Sequence, residues 1–301
     1  MRKLVLILAC ALCAGLYGVA QVVQVSHIER MAVPEDAAQV AGVSPAGNYV
    51  LLTSECHGGL TLLDLATGER RVISAAAGAG YNVGVTQDGN HIVYRQVGID
   101  NKKLRQVGVQ HYNVTTGVTQ PLAAPSRGLQ AVQVTGNIVM TVDKGQASVK
   151  RLDGSQAAKA VMAYATQNYE LMVAVNGKTR HLTPLGADKR YIWVSLSPGG
   201  EKVLFYVSGD AAYVCNIDGT GLQKLGTLRA ARWLDDNIVV GMNDKDNGET
   251  YVSSEIVAVD LQGHRQVLTG KEVIAMYPQC GGGKIAFSTP TGEIYLIHLT
   301  K

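Results

Sequence analysis

The sequence predicts an all-β fold, a β-propeller of six blades in which each blade is a four-stranded antiparallel sheet. Three observations predict it: a turn-and-strand phrase that recurs along the chain, a hairpin phrase that follows it within each repeat, and the near absence of helical periodicity. Repeats of about 40–50 residues that contain several short strands are typical of propeller blades. No long stretch beyond the N-terminal segment keeps a period of about 3.6 residues, which argues against a helical repeat.

The first phrase is a turn rich in Ser, Thr, Pro, Asp and Gly, followed by β-branched and aromatic residues. Clear copies span residues 44–52, 86–94 and 197–205, and weaker copies span 135–140, 235–240 and 281–287. Six copies predict six blades. The longest interval, between Gly136 and Gly200, also contains a strand-like run at 170–175 and a hairpin signal at Asn176 and Gly177. We interpret this interval as one blade with an extra segment, and a seventh blade is the alternative.

The second phrase is a hairpin turn with Asp or Asn near its start and Gly near its end. It occurs at residues 63–69, 112–117, 216–219 and 259–263. Asp and Asn accept hydrogen bonds from nearby backbone N–H groups, and Gly takes the positive φ of a tight turn. Turns at two stages of each repeat predict four strands per unit.

The two ends of the chain complement each other. The last repeat has strand-like runs near residues 273–277, 284–288 and 294–299 and then the sequence stops, whereas 22–30 is a spare strand before the first repeat. We predict that this N-terminal strand joins the last blade and closes the ring, because a closed ring leaves no unpaired edge between its first and last blades.

Residues 1–20 resemble a secretory signal peptide, so we predict a single propeller domain at 21–301. Arg2 and Lys3 precede an apolar run at 4–17 that is shorter than the roughly 20 residues of a membrane span. Small residues occupy both positions that a signal peptidase reads, which predicts cleavage after Ala20. We therefore expect a periplasmic or secreted protein. The alternatives are a signal that stays uncleaved as an anchor and a lipid attached at Cys10.

Charge and cysteine content exclude several classes of function. The formal charge is +3 with basic residues scattered, so nucleic acid is not an expected partner. Outside the signal, Cys56, Cys215 and Cys280 are an odd number without CxxC spacing, which matches neither a disulfide framework nor a zinc site. Asp244 and Glu255 fail the ligand pattern of a calcium loop, so we expect a solvated hairpin there. We expect no metal and no cofactor.

Candidate binding residues cluster at the predicted mouth of the central channel. The segments that enter each blade share one face of a propeller with the hairpins between second and third strands. Aromatic and Arg side chains on such a face are suited to a binding hot spot. The candidates are Tyr81, Asn82, Arg190, Trp193, Arg229, Arg232, Trp233, Tyr277 and His57. For each Trp the alternative is packing between neighbouring blades.

The phrase Ser-Pro-x-Gly-x-x-Val-Leu-Phe at 197–205, with Asp-x-x-Thr-Gly-Glu at 64–69, resembles the repeat of TolB-type β-propellers, a periplasmic six-bladed family, over residues 40–301. The resemblance implies an envelope protein that binds other macromolecules. No nucleophile elbow or dinucleotide-binding pattern is present. We therefore predict a non-catalytic binding or scaffold protein with a protein or peptide partner. The alternative is a propeller enzyme or a glycan or peptide binder with its site in the central funnel. The oligomeric state stays open.

Overall fold

A computed structural model describes residues 21–152 and 159–300, and the strands within them form seven antiparallel sheets. The predicted signal peptide at 1–20, including Cys10, lies outside the described residues. Among the residues that are described, no helix is long and apolar enough to cross a membrane.

The strands follow one another around the ring in chain order, and β1 (Val25–Arg30) precedes the first complete blade. Blade 1 contains β2 (Gln39–Val43), β3 (Tyr49–Thr53), β4 (Leu60–Asp64) and β5 (Arg70–Ser74), with a short 3-10 turn at Glu55–His57. Blade 2 contains β6 (Gly84–Val85), β7 (His91–Ile99), β8 (Arg105–Asn113) and β9 (Thr119–Ser126). Blade 3 contains β10 (Leu129–Thr135), β11 (Ile138–Asp143) and β12 (Gln146–Arg151).

The second half of the ring contains the remaining strands. Blade 4 contains β13 (Val161–Ala165), β14 (Leu171–Val175) and β15 (Lys178–Leu182). Blade 5 contains β16 (Tyr191–Leu196), β17 (Lys202–Val207), β18 (Ala212–Asn216) and β19 (Gln223–Gly226). Blade 6 contains β20 (Arg229–Trp233), β21 (Ile238–Asp246), β22 (Tyr251–Asp260) and β23 (Arg265–Val267). Blade 7 contains β24 (Met276–Gly281), β25 (Lys284–Ser288) and β26 (Ile294–Leu299), together with β1.

The structure is a β-propeller, but the prediction of six blades is wrong because there are seven sheets. The additional sheet is blade 4, which lies in the long interval between Gly136 and Gly200 that we interpreted as one blade with an extra segment. Five sheets have the expected four strands, whereas blades 3 and 4 have three strands each among the described residues. Two blades fit into this interval because three strands occupy fewer residues than four.

Blade 4 differs from its neighbour in the direction of its inner strand and in its first turn. Thr135 Oγ1 donates to the Val161 carbonyl (3.4 Å), and Gln133 Oε1 accepts from the Ala163 backbone N (2.9 Å). The sequence numbers rise on one strand as they fall on the other, so β10 and β13 are antiparallel neighbours. The turn after β13, at 166–170, contains no Gly, and Tyr169 takes the positive φ of 65° instead. A search for the first phrase therefore passes over this blade, although its second turn, between β14 and β15, is the hairpin signal at Asn176 and Gly177.

The predicted closure of the ring is confirmed. The last sheet has the order β1-β26-β25-β24, with Ile28 opposite Ile297 and Arg30 opposite Tyr295. One sheet thus contains both ends of the described chain, so the two ends cannot separate without breaking the β1–β26 ladder.

The predicted turn chemistry also explains why the strands end where they do. In the first turn of blade 1, Ser44 Oγ accepts from the backbone N of Asn48 (3.0 Å) and Tyr49 (3.2 Å). In its second turn, Asp64 Oδ1 accepts from the backbone N of Ala66 and Thr67. These bonds satisfy backbone groups that the ladder leaves unpaired.

The hydrophobic core lies between neighbouring sheets. Apolar residues of adjacent blades form shared clusters; Leu171 of blade 4 and Phe205 of blade 5 belong to one of them, and both are almost fully buried. Burying such side chains contributes roughly 1.5–3 kcal/mol each. The inner strands are thereby held rigidly around the channel, which fixes the positions of the residues at its mouth.

Candidate functional site

The inner strands of blades 5, 6 and 7 share one local distortion. In each of them the register with the second strand of the blade is irregular near the start of the inner strand. One residue within each irregularity has a positive φ: Trp193 (51°), Ala230 (48°) and Tyr277 (53°). A positive φ is uncommon for residues other than Gly and costs of order 1–3 kcal/mol, and β-bulges change the direction of a side chain. Three consecutive blades therefore present a Trp, an Ala and a Tyr at equivalent positions.

The two aromatic residues remain accessible. Trp193 and Tyr277 are each 36% exposed, whereas Ala230 between them is buried. The Trp193 ring meets the edge of Tyr206, with centroids 5.2 Å apart, and the Arg229 guanidinium lies 5.9 Å from the Trp193 ring centre. A cation at this distance from a Trp is attracted to the ring. These contacts hold Trp193 in one orientation.

An ion pair lies beside the Trp193 ring. Arg229 Nη1 is 2.6 Å from Asp244 Oδ2 and 3.9 Å from Asp246. The Asp244 side chain is fully buried, so the expectation of a solvated hairpin does not hold at this residue. Its Oδ1 is buried and has no hydrogen-bond partner in the part of the chain that the structure describes. Burying a polar atom without a partner is costly, so the packing around the Arg229–Asp244 pair must offset this cost.

Tyr277 is a neutral hydrogen-bonding group at ordinary pH. Burial of its hydroxyl is the main cause that raises its pKa, to about 12, and a hydrogen bond with Tyr251 acts in the same direction. Tyr251 begins β22, on the long hairpin that also contains Asp244. Blades 6 and 7 are therefore joined at this point by an aromatic pair.

A cavity of about 840 Å³ begins at Tyr251 and Tyr277. It extends past the segment at 31–38, which connects β1 to blade 1. Arg30 on its wall pairs with Glu293 (2.9 Å). Three further carboxylates of the lining are exposed: Glu35, Asp36 and Glu55. The cavity is therefore acidic, and we call it the acidic groove.

A second cluster lies at blades 1 and 2. The rings of His57 and Tyr81 are 5.3 Å apart, and the Arg95 guanidinium lies 5.4 Å from the Tyr81 centroid. Arg95 also donates to the carbonyls of Tyr81 (3.4 Å) and Asn82 (3.5 Å). Burial lowers the pKa of the His57 imidazole and of the Arg95 guanidinium, and Tyr81 opposes the shift of Arg95.

Arg232 connects the two sides of the channel. Its Nε donates to Gln279 Oε1 of blade 7 (3.4 Å). Burial lowers the pKa of Arg232, while Cys280 and the Tyr81 phenol, which belongs to blade 2, oppose this shift. Burial also raises the pKa of the Cys280 thiol to about 12, and Arg232 opposes that change. An Arg from blade 6 thus interacts electrostatically with a Tyr on a distant blade.

The structure brings some sequence candidates together and separates others. Trp193, Arg229 and Tyr277 form one arc over blades 5 to 7, while Arg232 lies where blade 6 meets Gln279 of blade 7. Arg190 stacks on Tyr169 of blade 4 (4.0 Å), at the edge of this arc. His57, Tyr81 and Asn82 form the second cluster. Trp233 instead lies in the core between blades 5 and 6, in agreement with the alternative we gave for it.

The sequence analysis missed several residues of the site, namely Arg95, Tyr206 and Tyr251, and it misjudged Asp244. All four are within strands, namely β7, β17, β21 and β22, and not in the segments that enter the blades. Nothing in the sequence marks where a strand passes the rim of the channel.

The described residues contain one group of three side chains that could bind a metal ion, and it is not in the channel. This group is His27, Glu29 and His298, on the strands that close the ring. Cys56, Cys215 and Cys280 are free thiols.

No protein-family model matches the sequence, and no curated protein matches it. Solved structures do match. The β-propeller domain of the Trilobed protease from Pyrococcus furiosus is 10% identical, with 88% of this chain and 94% of that chain covered and a TM-score of 0.60. The Cps50 (Swd1) propeller domain from a Myceliophteria thermophila structure is 9% identical, with 92% and 100% covered and a TM-score of 0.58.

A TolB protein from Agrobacterium tumefaciens is also similar, at 15% identity, with 88% of this chain and 90% of that chain covered and a TM-score of 0.51. The fold is a β-propeller. At such identities these likenesses show the fold alone. They support the resemblance to TolB-type propellers at the level of architecture, while the blade count that the resemblance implied is wrong.

Proposed function

We propose that this protein is an exported, non-catalytic binding protein of the cell envelope that holds a segment of a partner protein on the arc formed by blades 5 to 7. One observation carries the proposal. Trp193 and Tyr277 are held at positive φ on either side of the ion pair between Arg229 and the buried Asp244. Backbone strain concentrates at functional sites, and exposed, pre-oriented aromatic rings beside an Arg are the residue types that dominate binding energies.

The charges around the arc indicate which segment would bind. Asp246 beside Arg229 is exposed, and the acidic groove adds Glu35, Asp36 and Glu55. A Lys or Arg side chain on the partner would satisfy these groups, while apolar residues next to it would pack on the exposed rings. We therefore propose a peptide segment in which a basic residue adjoins an aromatic or aliphatic one.

A displayed peptide library tests this proposal. We expect the bound peptides to be enriched in basic residues next to apolar ones. The variants Trp193→Ala and Tyr277→Ala should each weaken a selected peptide at least about tenfold in a fluorescence anisotropy titration. Val72→Ala is the matched control, because Val72 is a large apolar residue on the outer strand of blade 1 with 74% exposure. Equal affinities of all three variants would contradict the proposed arc.

A small-molecule ligand is the second candidate, and the size of the acidic groove favours it. A volume of about 840 Å³ lies within the range of about 300–1,000 Å³ of small-molecule sites. A glycan or short peptide bound there should raise the melting temperature, and Tyr277→Ala should reduce that rise. If glycans stabilise the protein and the peptide library yields no binder, the small-ligand function replaces the first proposal.

Export is part of the proposal and has a separate test. We expect the mature protein, isolated from the envelope fraction, to begin at Gln21. Mass spectrometry of the intact protein distinguishes this result from retention of residues 1–20 and from lipid attached at Cys10.

A further inference from the structure

We propose that His27, Glu29 and His298 form a binding site for a zinc-like divalent cation, which joins the two ends of the chain where the ring closes. The residues are far apart in sequence. His27 and Glu29 lie two positions apart on β1 and so face the same side of the sheet, and His298 lies opposite His27 on β26. The ladder that closes the ring therefore assembles the site.

The three ligand groups are already close together. His298 Nε2 is 2.8 Å from Glu29 Oε1, and the imidazole rings of His27 and His298 stack with centroids 4.1 Å apart. One nitrogen or oxygen of each residue lies within 4.8 Å of the other two. An ion with bonds of about 2.0–2.2 Å to each ligand requires only side-chain rotations to fit between them.

A neighbouring group orients His27 for this role. Ser26 Oγ lies 3.3 Å from His27 Nδ1, so Nε2 of the same ring is available to a metal. A metal-binding imidazole usually has a hydrogen-bond partner at its second nitrogen, which fixes the tautomer and the ring orientation. Lys284 lies opposite His298 on β25, but its Nζ lies beside Gly47 in the first turn of blade 1. The ammonium group of Lys284 is therefore directed toward blade 1.

The set of donors selects the class of cation. Two imidazoles and one carboxylate suit Zn²⁺, and also Ni²⁺ and Cu²⁺, whereas Mg²⁺ and Ca²⁺ prefer sites built from oxygen. Three protein ligands leave a position for water in a tetrahedral site. The site is partly exposed, with His27 exposed and the other two half-buried, so a cation can enter without opening the fold.

The expected consequence is stabilisation of the closed ring. A cation that binds only when β1 and β26 are paired stabilises the closed state, and the stabilisation grows with the logarithm of the ratio of free cation to dissociation constant. At about a hundredfold excess over the dissociation constant, the melting temperature should rise by about 5 °C. A partner bound at the arc on blades 5 to 7 does not depend on this site, so the two proposals can fail separately.

The test is a thermal melt of untagged protein that starts at Gln21, with ZnCl₂ or MgCl₂ added, together with calorimetric titration of Zn²⁺. We expect one bound Zn²⁺ per chain and a rise in melting temperature with Zn²⁺ only. His27→Gln and Glu29→Gln should each weaken Zn²⁺ binding at least about tenfold and abolish the rise. Since His27 is exposed, its substitution should leave the melt without metal almost unchanged.

His264→Gln is the matched control, because His264 is an exposed imidazole 2.7 Å from a carboxylate, Asp260, and belongs to no group of three ligands within residues 21–152 and 159–300. This variant should bind Zn²⁺ like the wild type. The proposal is overturned if the wild type shows no rise, or if His264→Gln and His27→Gln lose Zn²⁺ binding equally. It is also overturned if His27→Gln retains full binding, which would place the ion on another group such as the exposed thiol of Cys56.

Discussion

Blade 7 differs from blades 3 and 4 in how its sheet is assembled and in its number of strands. Blade 7 is built from both ends of the chain and reaches four strands because β1 pairs with β26. Blades 3 and 4 are continuous in sequence and have three described strands each. The comparison teaches that outer strands can vary from blade to blade, whereas an inner strand must be present in every blade to fill the circle around the channel.

The largest expected effect comes from breaking blade 7. Deletion of residues 21–30 removes β1, together with the burial of Val23 and Ile28 against the last sheet. We expect the melting temperature to fall by more than about 10 °C, because the deletion exposes apolar surface and frees the edge of β26. Circular dichroism at rising temperature measures the change.

If the truncated protein does not fold alone, a synthetic peptide of residues 21–30 should restore folding in a concentration-dependent manner. A truncated protein that melts at the wild-type temperature would show that the closure contributes little to stability.

The next effect tests whether blade 4 is an integral part of the ring. Leu171 is 1% exposed in the cluster that blade 4 shares with blade 5. Leu171→Ala should lower the free energy of unfolding by about 2–5 kcal/mol in a urea titration. Leu222→Ala, at a site with 39% exposure, is the control and should cost less than about 0.5 kcal/mol. Equal effects of the two variants would indicate that blade 4 unfolds independently.

A smaller effect concerns the contact between the first turn of blade 1 and the turn of blade 7 that connects β24 to β25. Gly282 has a φ of 55°, and a Cβ added there would lie 2.1 Å from the backbone N of Gly47. Gly283 next to it has a φ of 71°, but the nearest atom would be 4.0 Å away. Gly283→Ala should therefore cost only the conformational strain, about 1 kcal/mol, and Gly282→Ala about 1–3 kcal/mol more.

Urea titration of these two variants measures the difference. Equal losses would mean that the turn of blade 7 can move away from blade 1, so that the seam is looser than the distances indicate.

The smallest expected effect is a difference in reactivity among the three thiols, without a change in stability. Burial raises the pKa of Cys215 to about 11 and of Cys280 to about 12, so few thiolates form at pH 8. Since the thiolate is the nucleophile, both should react slowly with a disulfide reagent, whereas the exposed Cys56 should react at once. Cys56→Ser should remove the fast phase. Rapid reaction of Cys280 in that variant would contradict the raised pKa of its thiol.

The sequence predicted much of this architecture for identifiable reasons. Turn residues such as Ser44 and Asp64 form local hydrogen bonds, so they mark strand ends in any context. The closure was predictable because residues 22–30 form a strand without a local partner. Blade 4 was not recognised because the turn after its inner strand takes a positive φ at Tyr169 and not at a Gly.

The candidate site was predicted less completely. Trp193, Arg229 and Tyr277 were found because aromatic and Arg residues at blade entries are conspicuous. Tyr251 and Asp244 were not assigned to the site, because their roles depend on the length of the hairpin formed by β21 and β22. They also depend on which side chains of the neighbouring blades contact this hairpin. Trp233 has the same residue type as Trp193 but is buried, and only the packing between blades distinguishes the two.

The sequence by itself determined that the chain forms a propeller and that its N-terminal strand closes the ring, because turn chemistry and strand periodicity act over a few residues. The tertiary structure decided the number of blades, the strained positions of Trp193 and Tyr277, the burial of Asp244 and the meeting of His27 with His298. These features depend on contacts between residues that are distant in sequence. They are stabilised by packing and strand pairing between blades, and such contacts leave no local pattern in the sequence.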